Sequence, residues 1–342
     1  MLLETIDHRK AIDMSSTFRA IRALEQGGKL TGHLVQQGID ELDAGEVLIR
    51  VAYSGINYKD ALAVTGSARI VTRAPCNIGI EAAGRVESST APAFKPGDAV
   101  IVHGFGMGMR HDGGFAELVR VPADWVVALP PGLSTRAAAT LGVAGVTAAT
   151  ALAALEEAGV TPDAGEVLVT GASGGCGGLA VEMLARKGYR VVAQTRKAER
   201  GDWLKSLGAA ETLVAADIKD SGRPLESARW AGVIDSIGGQ QLSWALRSTR
   251  DNGAVATYGN AAGNDFSTSI LPFILRGIRL YGINGNLPMA RRLETWARLG
   301  DDLATPVFTA AAQDIALEDA IEFCQGMIAG QSMGRTLIAM PR

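Results

Sequence analysis

A chain of 342 residues is long enough for two domains, each with a core of its own. Hydrophobic residues make up 47% and charged residues 20%, an ordinary soluble composition, and the formal net charge of −3 offers no basic surface to a nucleic acid. The three cysteines, Cys76, Cys176 and Cys324, are far apart, form no C-x-x-C pair and suggest no disulfide framework, so a reducing cytoplasm is expected.

Residues 1–17 read as an N-terminal extension. Met1 to Asp13 include Asp7-His8-Arg9-Lys10 and no apolar core segment, which excludes a secretory signal. Strand-like sequence begins near Phe18, and the region up to about 135 reads as β-rich. Val47 to Tyr53 alternates as a strand, Gly79 to Val86 follows with glycine breaks, and Lys95-Pro-Gly-Asp98 is a turn before a strand at Ala99–Val102. Gly113 to Val121 and Trp125 to Pro130 complete a set of short strands, the pattern of a barrel-like domain.

Ala137 to Leu155 carries no charge and has the length of a bilayer span. Its content is mostly Ala, Gly and Thr, with few large apolar side chains. That predicts a tightly packed helix between domains and no membrane partner.

From about 140 strands and helices alternate, which predicts a doubly wound parallel sheet. Val167 to Thr170 reads as a buried strand, glycines follow at 171, 174, 175 and 177, and Leu179 opens a helical pattern. Read from Ala172, the spacing is Ala-x-Gly-x-x-Gly. Strand, glycine turn and helix start bring backbone N–H groups and the positive helix end to one point, a geometry that binds a pyrophosphate. The helix ends at Arg186-Lys187-Gly188, and Tyr189 to Thr195 is the second strand. Asp202 to Gly208 is a short helix. Trp230–Ile237, Gly253–Gly259 and Ile278–Ile283 are the later strands. The tail from about 286 reads as helical to Ile328 and ends in a strand over Arg335–Met340.

The end of the second strand selects the cofactor. Sites specific for NAD place an acid there for the ribose 2′-hydroxyl. Here the run is Gln194-Thr195-Arg196-Lys197, with no acid before Glu199. A hydroxyl and two cations suit a 2′-phosphate, so NADPH is expected. The turn also fits short-chain dehydrogenases, but those need Tyr-x-x-x-Lys. Tyr53, Tyr58, Tyr189, Tyr258 and Tyr281 are followed four residues on by Asn57, Leu62, Ala193, Ala262 and Gly285. His8, His33, His103 and His111 have no cysteine at ligand spacing, so no metal is expected.

The run Tyr53-Ser-Gly-Ile-Asn-Tyr-Lys-Asp-Ala61 resembles the "NYKD" signature of zinc-free medium-chain reductases. Gly79-Ile-Glu81 stands where zinc members have Gly-His-Glu. Gly113–Glu117, Thr170–Gly177, Leu204–Ala209, Leu271–Arg276 and Gly334–Leu337 extend the likeness over nearly the whole chain after residue 18. Trp230–Asp235 and Pro272–Arg276 are similar to the acrylyl-CoA reductase branch, often labelled quinone oxidoreductases. The sequence departs from relatives at Ala215, Cys176 and Asn260.

The resemblance implies a GroES-like β-rich catalytic domain at 18–140 and 286–342, and a Rossmann domain at 141–285. It implies NADPH-dependent reduction of a short enoyl-CoA, acrylyl-CoA first. An NADPH:quinone reductase is the alternative, and a non-catalytic NADPH-binding protein the second. Tyr58 is implied at the nicotinamide edge, to orient the acceptor or relay a proton, and Asn57 to hold ribose or substrate. Cofactor contacts are expected from Tyr58, Ser173, Gly174, Gly175, Cys176, Thr195, Arg196, Lys197, Asn260 and Ile274. Arg69, Arg73 and Arg110 are candidates for CoA phosphates, Phe105-Gly-Met-Gly-Met109 for a thin acyl pocket, and His111 for a proton shuttle. Cys176, at a helix start that lowers thiol pKa, is read mainly as filling the space of a valine. A homodimer is expected, with the strand near Ile278–Ile283 pairing across the interface.

Overall fold

The computed structural model describes residues 17–218 and 220–341. All but the last residue of the expected N-terminal extension lies outside the described residues.

The first part of the chain is built from antiparallel strands. β1 (Thr17–Gln26) and β2 (Lys29–Gly38) form a hairpin. Gly27 and Gly28 supply the positive φ values, 58° and 78°, that its two-residue turn requires. Next come β3 (Val47–Gly55), α1 (Tyr58–Thr65), β4 (Cys76–Asn77), β5 (Glu81–Ser89), β6 (Ala99–His103), β7 (Leu118–Val121) and β8 (Val126–Ala128). β4 joins the hairpin, and β3, β5, β6 and β8 are consecutive in a larger sheet with β7 on β3.

α2 (Thr135–Glu157) begins at Ser134, whose hydroxyl accepts from Ala137 N, and it carries the charge-free run. Its apolar window is 83% buried, as the Ala- and Gly-rich composition led us to expect. The helix packs against both large sheets, and fully buried side chains such as Leu152 and Leu155 contribute about 1.5–3 kcal/mol each. It kinks at Gly142 (φ 44°, ψ −143°), where a Cβ would fall on the Glu81 carboxylate.

Six parallel strands follow. β9 (Glu166–Val169), α3 (Gly175–Arg186), β10 (Arg190–Thr195), α4 (Gly201–Ser206) and β11 (Glu211–Val214) form one half. β12 (Trp230–Asp235), α5 (Gly239–Ser248), β13 (Thr249–Thr257), α6 (Leu271–Arg276) and β14 (Arg279–Gly282) form the other. The order β11-β10-β9-β12-β13-β14 reverses direction between β9 and β12, so the ligand crevice lies at the carboxyl end of β9.

The tail runs through α7 (Met289–Gly300), α8 (Pro306–Ala311), β15 (Gln313–Ile315), α9 (Ala320–Ile328) and β16 (Thr336–Ala339). β16 returns to the first large sheet and pairs antiparallel with β3. The tail is therefore not all helix before its last strand: β15 lies parallel to β16. The expected strand over Gly113–Val121 is shorter, because Gly113 and Gly114 instead bond to Asn77 O and Gly79 O at 2.8 and 3.0 Å.

Candidate active site

The glycine turn is shaped for a diphosphate. Gly171 takes a φ of 60° just after β9, and Gly174 caps α3 with no side chain over the helix start. The first N–H groups of α3 have no partner within the helix and carry its positive end. A Cβ on Gly177 would lie 2.5 Å from Gly171 O, so only glycine lets α3 approach β9 this closely. Ser173 Oγ lies 2.9 Å from Thr195 Oγ1 and ties the turn to the end of β10.

Beyond β10 the chain carries Arg196, Lys197 and Arg200. Arg196 is exposed, and Lys197 N donates to Thr195 Oγ1 at 3.1 Å. Lys197 Nζ donates to Ser332 O at 2.5 Å, and burial, followed by the Arg200 cation, lowers its pKa. The Nε of Arg200 is buried with no hydrogen bond among the described residues, and the Glu199 carboxylate lies 3.7 Å from it. A cluster of three cations suits a monophosphate.

Cys176 faces Ala144 O at 3.2 Å. Burial pushes its thiol up to about 12. Asn260 is exposed past β13 and donates to Asn264 Oδ1 at 2.6 Å. Ile274 lies on α6, 65% exposed, in a surface patch with Ile270 and Leu275.

Asn57 and Tyr58 stand at the start of α1. Tyr58 is 45% exposed, while Asn57 is fixed on every side. Its Nδ2 donates to Asp60 Oδ2 and to Gly55 O, each at 3.2 Å, and its Oδ1 accepts from Arg335 Nη1 at 2.9 Å. Asp60 also accepts from the Asn57 and Ile80 amides at 2.9 and 3.0 Å. Arg335 Nη1 donates to Ile56 O, Nε to Thr140 O, and Nη2 to Ala139 O and the Glu81 carboxylate. The second Glu81 oxygen accepts from Val143 N at the α2 kink. Asp60, Glu81 and Arg335 are 1%, 0% and 3% exposed, so the cluster is cut off from water. Burial pushes the Asp60 carboxyl up to about 7 and raises that of Glu81, against which Arg335 works.

The cluster touches the glycine turn. A Cβ on Gly175 would lie 3.0 Å from Arg335 Cδ, and Gly334 N donates to Ser173 O at 3.0 Å. One short segment therefore joins the diphosphate cradle to the Asn57–Tyr58 end. In the sequence, Glu81 and Arg335 stand only within the matching blocks, and Asp60 only within the Tyr53–Ala61 run. Two signals were present: an acid three residues after an asparagine that precedes a helix, and a cation opening an otherwise apolar strand.

Most other candidates are engaged elsewhere. Arg73 is paired with Asp43 at 2.5 Å, and Arg110 folds back along Gly106. His111 contacts Ala44 O and sits edge-on to Trp125, a structural position; Arg69 is exposed. Phe105 has a φ of 56°, a left-handed conformation that costs a bulky residue about 1–3 kcal/mol. The Arg292 guanidinium lies 4.3 Å over its ring, and Trp125 stacks on it at 5.2 Å and 11°. Arg292 is fully buried, donates to the His103 backbone O and, at 2.9 Å, to its Nδ1, and has no carboxylate partner among the described residues. Burial pushes it down to about 10.

The family model of the alcohol dehydrogenase GroES-like domain matches residues 43–131, and that of the zinc-binding dehydrogenases matches residues 175–303. Among the described residues no group of three His, Cys, Asp or Glu side chains is placed to hold a metal. The chain is 40% identical to the acrylyl-CoA reductase AcuI of Ruegeria pomeroyi over 316 residues, 92% of this chain and 96% of that protein. It is 43% identical to the yhdH oxidoreductase of Salmonella enterica, solved in complex with NADP, with a TM-score of 0.91 over 94% of this chain and 100% of that one. It is 39% identical to the Bacillus subtilis protein yhfP, solved with NAD bound, with a TM-score of 0.91 over 95% and 100%.

Proposed function

Because the chain belongs to the medium-chain dehydrogenase/reductase superfamily, in the branch of the AcuI acrylyl-CoA reductases, we infer that it reduces the activated double bond of a short enoyl-CoA with NADPH, converting acrylyl-CoA to propionyl-CoA. The observation that carries the reading is the near-full-length identity to such a reductase, joined to a diphosphate cradle that abuts the fixed Asn57 and the open Tyr58.

The amides at Ser173, Gly175 and Cys176 take the diphosphate, while the Gly174 N–H is spent on Gly171 O and shapes the turn. Arg196 and Lys197 take the 2′-phosphate, and the buried Thr195 hydroxyl, bonded to Ser173 and to Lys197 N, holds that corner in place. The absence of an acid at the end of β10 supports NADPH over NADH. When bound, NADPH supplies the hydride that goes to the substrate β-carbon. The π pair then moves onto the thioester as an enolate, and a proton goes to the α-carbon. Tyr58 orients the acceptor and delivers that proton, and its exposure lets water restore it. Asn57, its amide locked by Arg335, Asp60 and Gly55, offers the remaining lone pair of Oδ1 to a substrate or nicotinamide-ribose hydroxyl. Asn260 is assigned to the nicotinamide side. No step calls on a metal.

The coenzyme domain is taken as 141–285, supported by the six-stranded sheet. The catalytic domain is taken as 18–140 and 286–342, supported by the pairing of β16 with β3. We further assign a homodimer. β14 is the last strand of its sheet, and Ile270, just before α6, and Ile274 and Leu275, on it, lie exposed. Ile274, expected as a cofactor contact, is kept as one across that subunit contact. Three free cysteines support a reducing compartment.

The test is steady-state turnover with acrylyl-CoA and with 1,4-benzoquinone at equal NADPH. The reading predicts a higher kcat/KM for acrylyl-CoA. A preference for the quinone of about 100-fold would replace it with the quinone reductase, a difference of about 2.7 kcal/mol in transition-state stabilisation. Coenzyme consumption with neither would leave only a binding protein.

A further inference from the structure

We propose that Phe105 sets the size of the acceptor: its ring, clamped by Arg292 and Trp125, walls the cleft beside the β-carbon, admitting a three-carbon enoyl unit and turning away longer ones. The proposal rests on the function inferred above and names what limits its substrate.

Position comes first. Phe105 follows β6, whose last residue, His103, pairs with Glu81 of the buried cluster. Gly104 N donates to Ile80 O at 3.2 Å, Ile80 N donates to Asp60 Oδ1 at 3.0 Å, and Asp60 accepts from Asn57. A continuous hydrogen-bonded path thus runs from the residue before Phe105 to the start of α1. On its other side, Phe105 N donates to Asn286 Oδ1 at 3.2 Å. Asn286 lies just past β14, at the carboxyl edge of the parallel sheet where dinucleotides bind. Next to it, a Cβ on Gly285 would lie 2.9 Å from Thr147 Oγ1 of α2. Phe105 therefore sits at the seam of the two domains, bonded to Asn286, the first residue of the returning catalytic segment, beside Gly285, the last of the coenzyme domain.

Rigidity comes second. A half-buried phenylalanine at φ 56° between Gly104 and Gly106 is held against its own backbone preference. The holding groups are a buried guanidinium 4.3 Å over the ring and an indole stacked on it. Arg292, with no carboxylate partner among the described residues, spends its charge on this ring, the His103 imidazole and backbone carbonyls. Arg292 is thus a positioning residue for Phe105.

Chemistry comes third. In acrylyl-CoA the β-carbon is the end of the acyl chain. Every longer 2-enoyl-CoA continues from that carbon as an alkyl tail. A rigid wall beside the hydride acceptor leaves the first untouched and collides with the rest.

The experiment compares kcat/KM for acrylyl-CoA and trans-2-hexenoyl-CoA in the wild type and in Phe105→Gly, a change the left-handed backbone favours. The acrylyl-to-hexenoyl preference should fall about tenfold or more through a gain on the longer substrate, the scale of steric discrimination in apolar pockets. NADPH affinity should stay within about twofold, because the coenzyme contacts lie elsewhere. Arg292→Met should shift the ratio the same way, and if it does not fold, Phe105→Gly decides alone. An unchanged ratio in folded Phe105→Gly overturns the proposal. A wild type that reduces quinones and no enoyl-CoA removes the functional reading instead. The wall is then read from the naphthoquinone-to-benzoquinone ratio, which Phe105→Gly should raise and whose constancy overturns it. Reduction of neither series overturns both.

Discussion

The glycine turn and the charged cluster around Arg335 touch at Gly175, yet they are assembled in opposite ways. The turn is local: one strand, a few glycines and the first residues of α3, working through backbone amides with no ionised side chain of its own. The cluster draws Asn57, Asp60, Glu81 and Arg335 from distant parts of the chain and works through charges sealed from water. The turn should therefore be sensitive to added volume, and the cluster to a lost partner. Six substitutions sharpen the comparison.

The largest effect is expected at the ion pair. Arg335→Met strands Glu81 in the interior and should cost about 3–5 kcal/mol, read as a fall in Tm and in the urea midpoint. Adding Glu81→Leu should recover part of the loss, and additive losses would break the account of the pair. At the turn, Gly177→Val drives a side chain into Gly171 O and should weaken NADPH about 1000-fold, some 4 kcal/mol, by fluorescence titration. The loss of stability should be the lesser effect there. Tyr58→Phe should lower kcat about 100-fold while NADPH affinity stays within about twofold, the split expected of a proton donor. Full activity in this variant would remove the tyrosine from the chemistry and leave the coenzyme assignment intact. Arg196→Ala should reduce the preference for NADPH over NADH about tenfold, the scale of one charge-assisted hydrogen bond. An unaltered preference would pass the phosphate to Lys197 and Arg200.

The last test is a slope. Burial holds the Asp60 carboxyl at about 7, above its unfolded value, so the folded protein binds the extra proton. This group's contribution to stability is greatest below about pH 4 and declines as pH rises to about 7. A Tm series over that range should show the decline in the wild type and a flatter line in Asp60→Asn. Parallel lines would mean that the three donors around Asp60 cancel the cost of burying its charge.

The same contrast decides what could be read in advance. β9 and β10 were legible because apolar runs bounded by glycine need no tertiary information, and α2 because its small residues and missing charges admit only a packed interior. β11 and β15 were not. β11 is a partly buried edge strand, and β15 has one apolar residue in three, so neither produces a periodic signal. Of the site, the diphosphate turn and the cations beyond β10 lay in contiguous sequence. Asn57 and Tyr58 came from a recognised signature, and the signature does not say what holds Asn57. That information lies in Arg335, nearly the full length of the chain away, and becomes visible only when β16 pairs with β3. Phe105 was legible as a pocket candidate, whereas its strained backbone and its clamp by Arg292 depend on α7 folding back over β6.

Isotope transfer tests the central claim most directly. NADPH carrying deuterium on the transferred face at C4 is incubated with acrylyl-CoA and the protein, and the acyl product is analysed by mass spectrometry. Direct delivery to the β-carbon predicts propionyl-CoA with one deuterium on C3 and none on C2. An acyl product without deuterium, or NADPH consumption that leaves acrylyl-CoA intact, would contradict it.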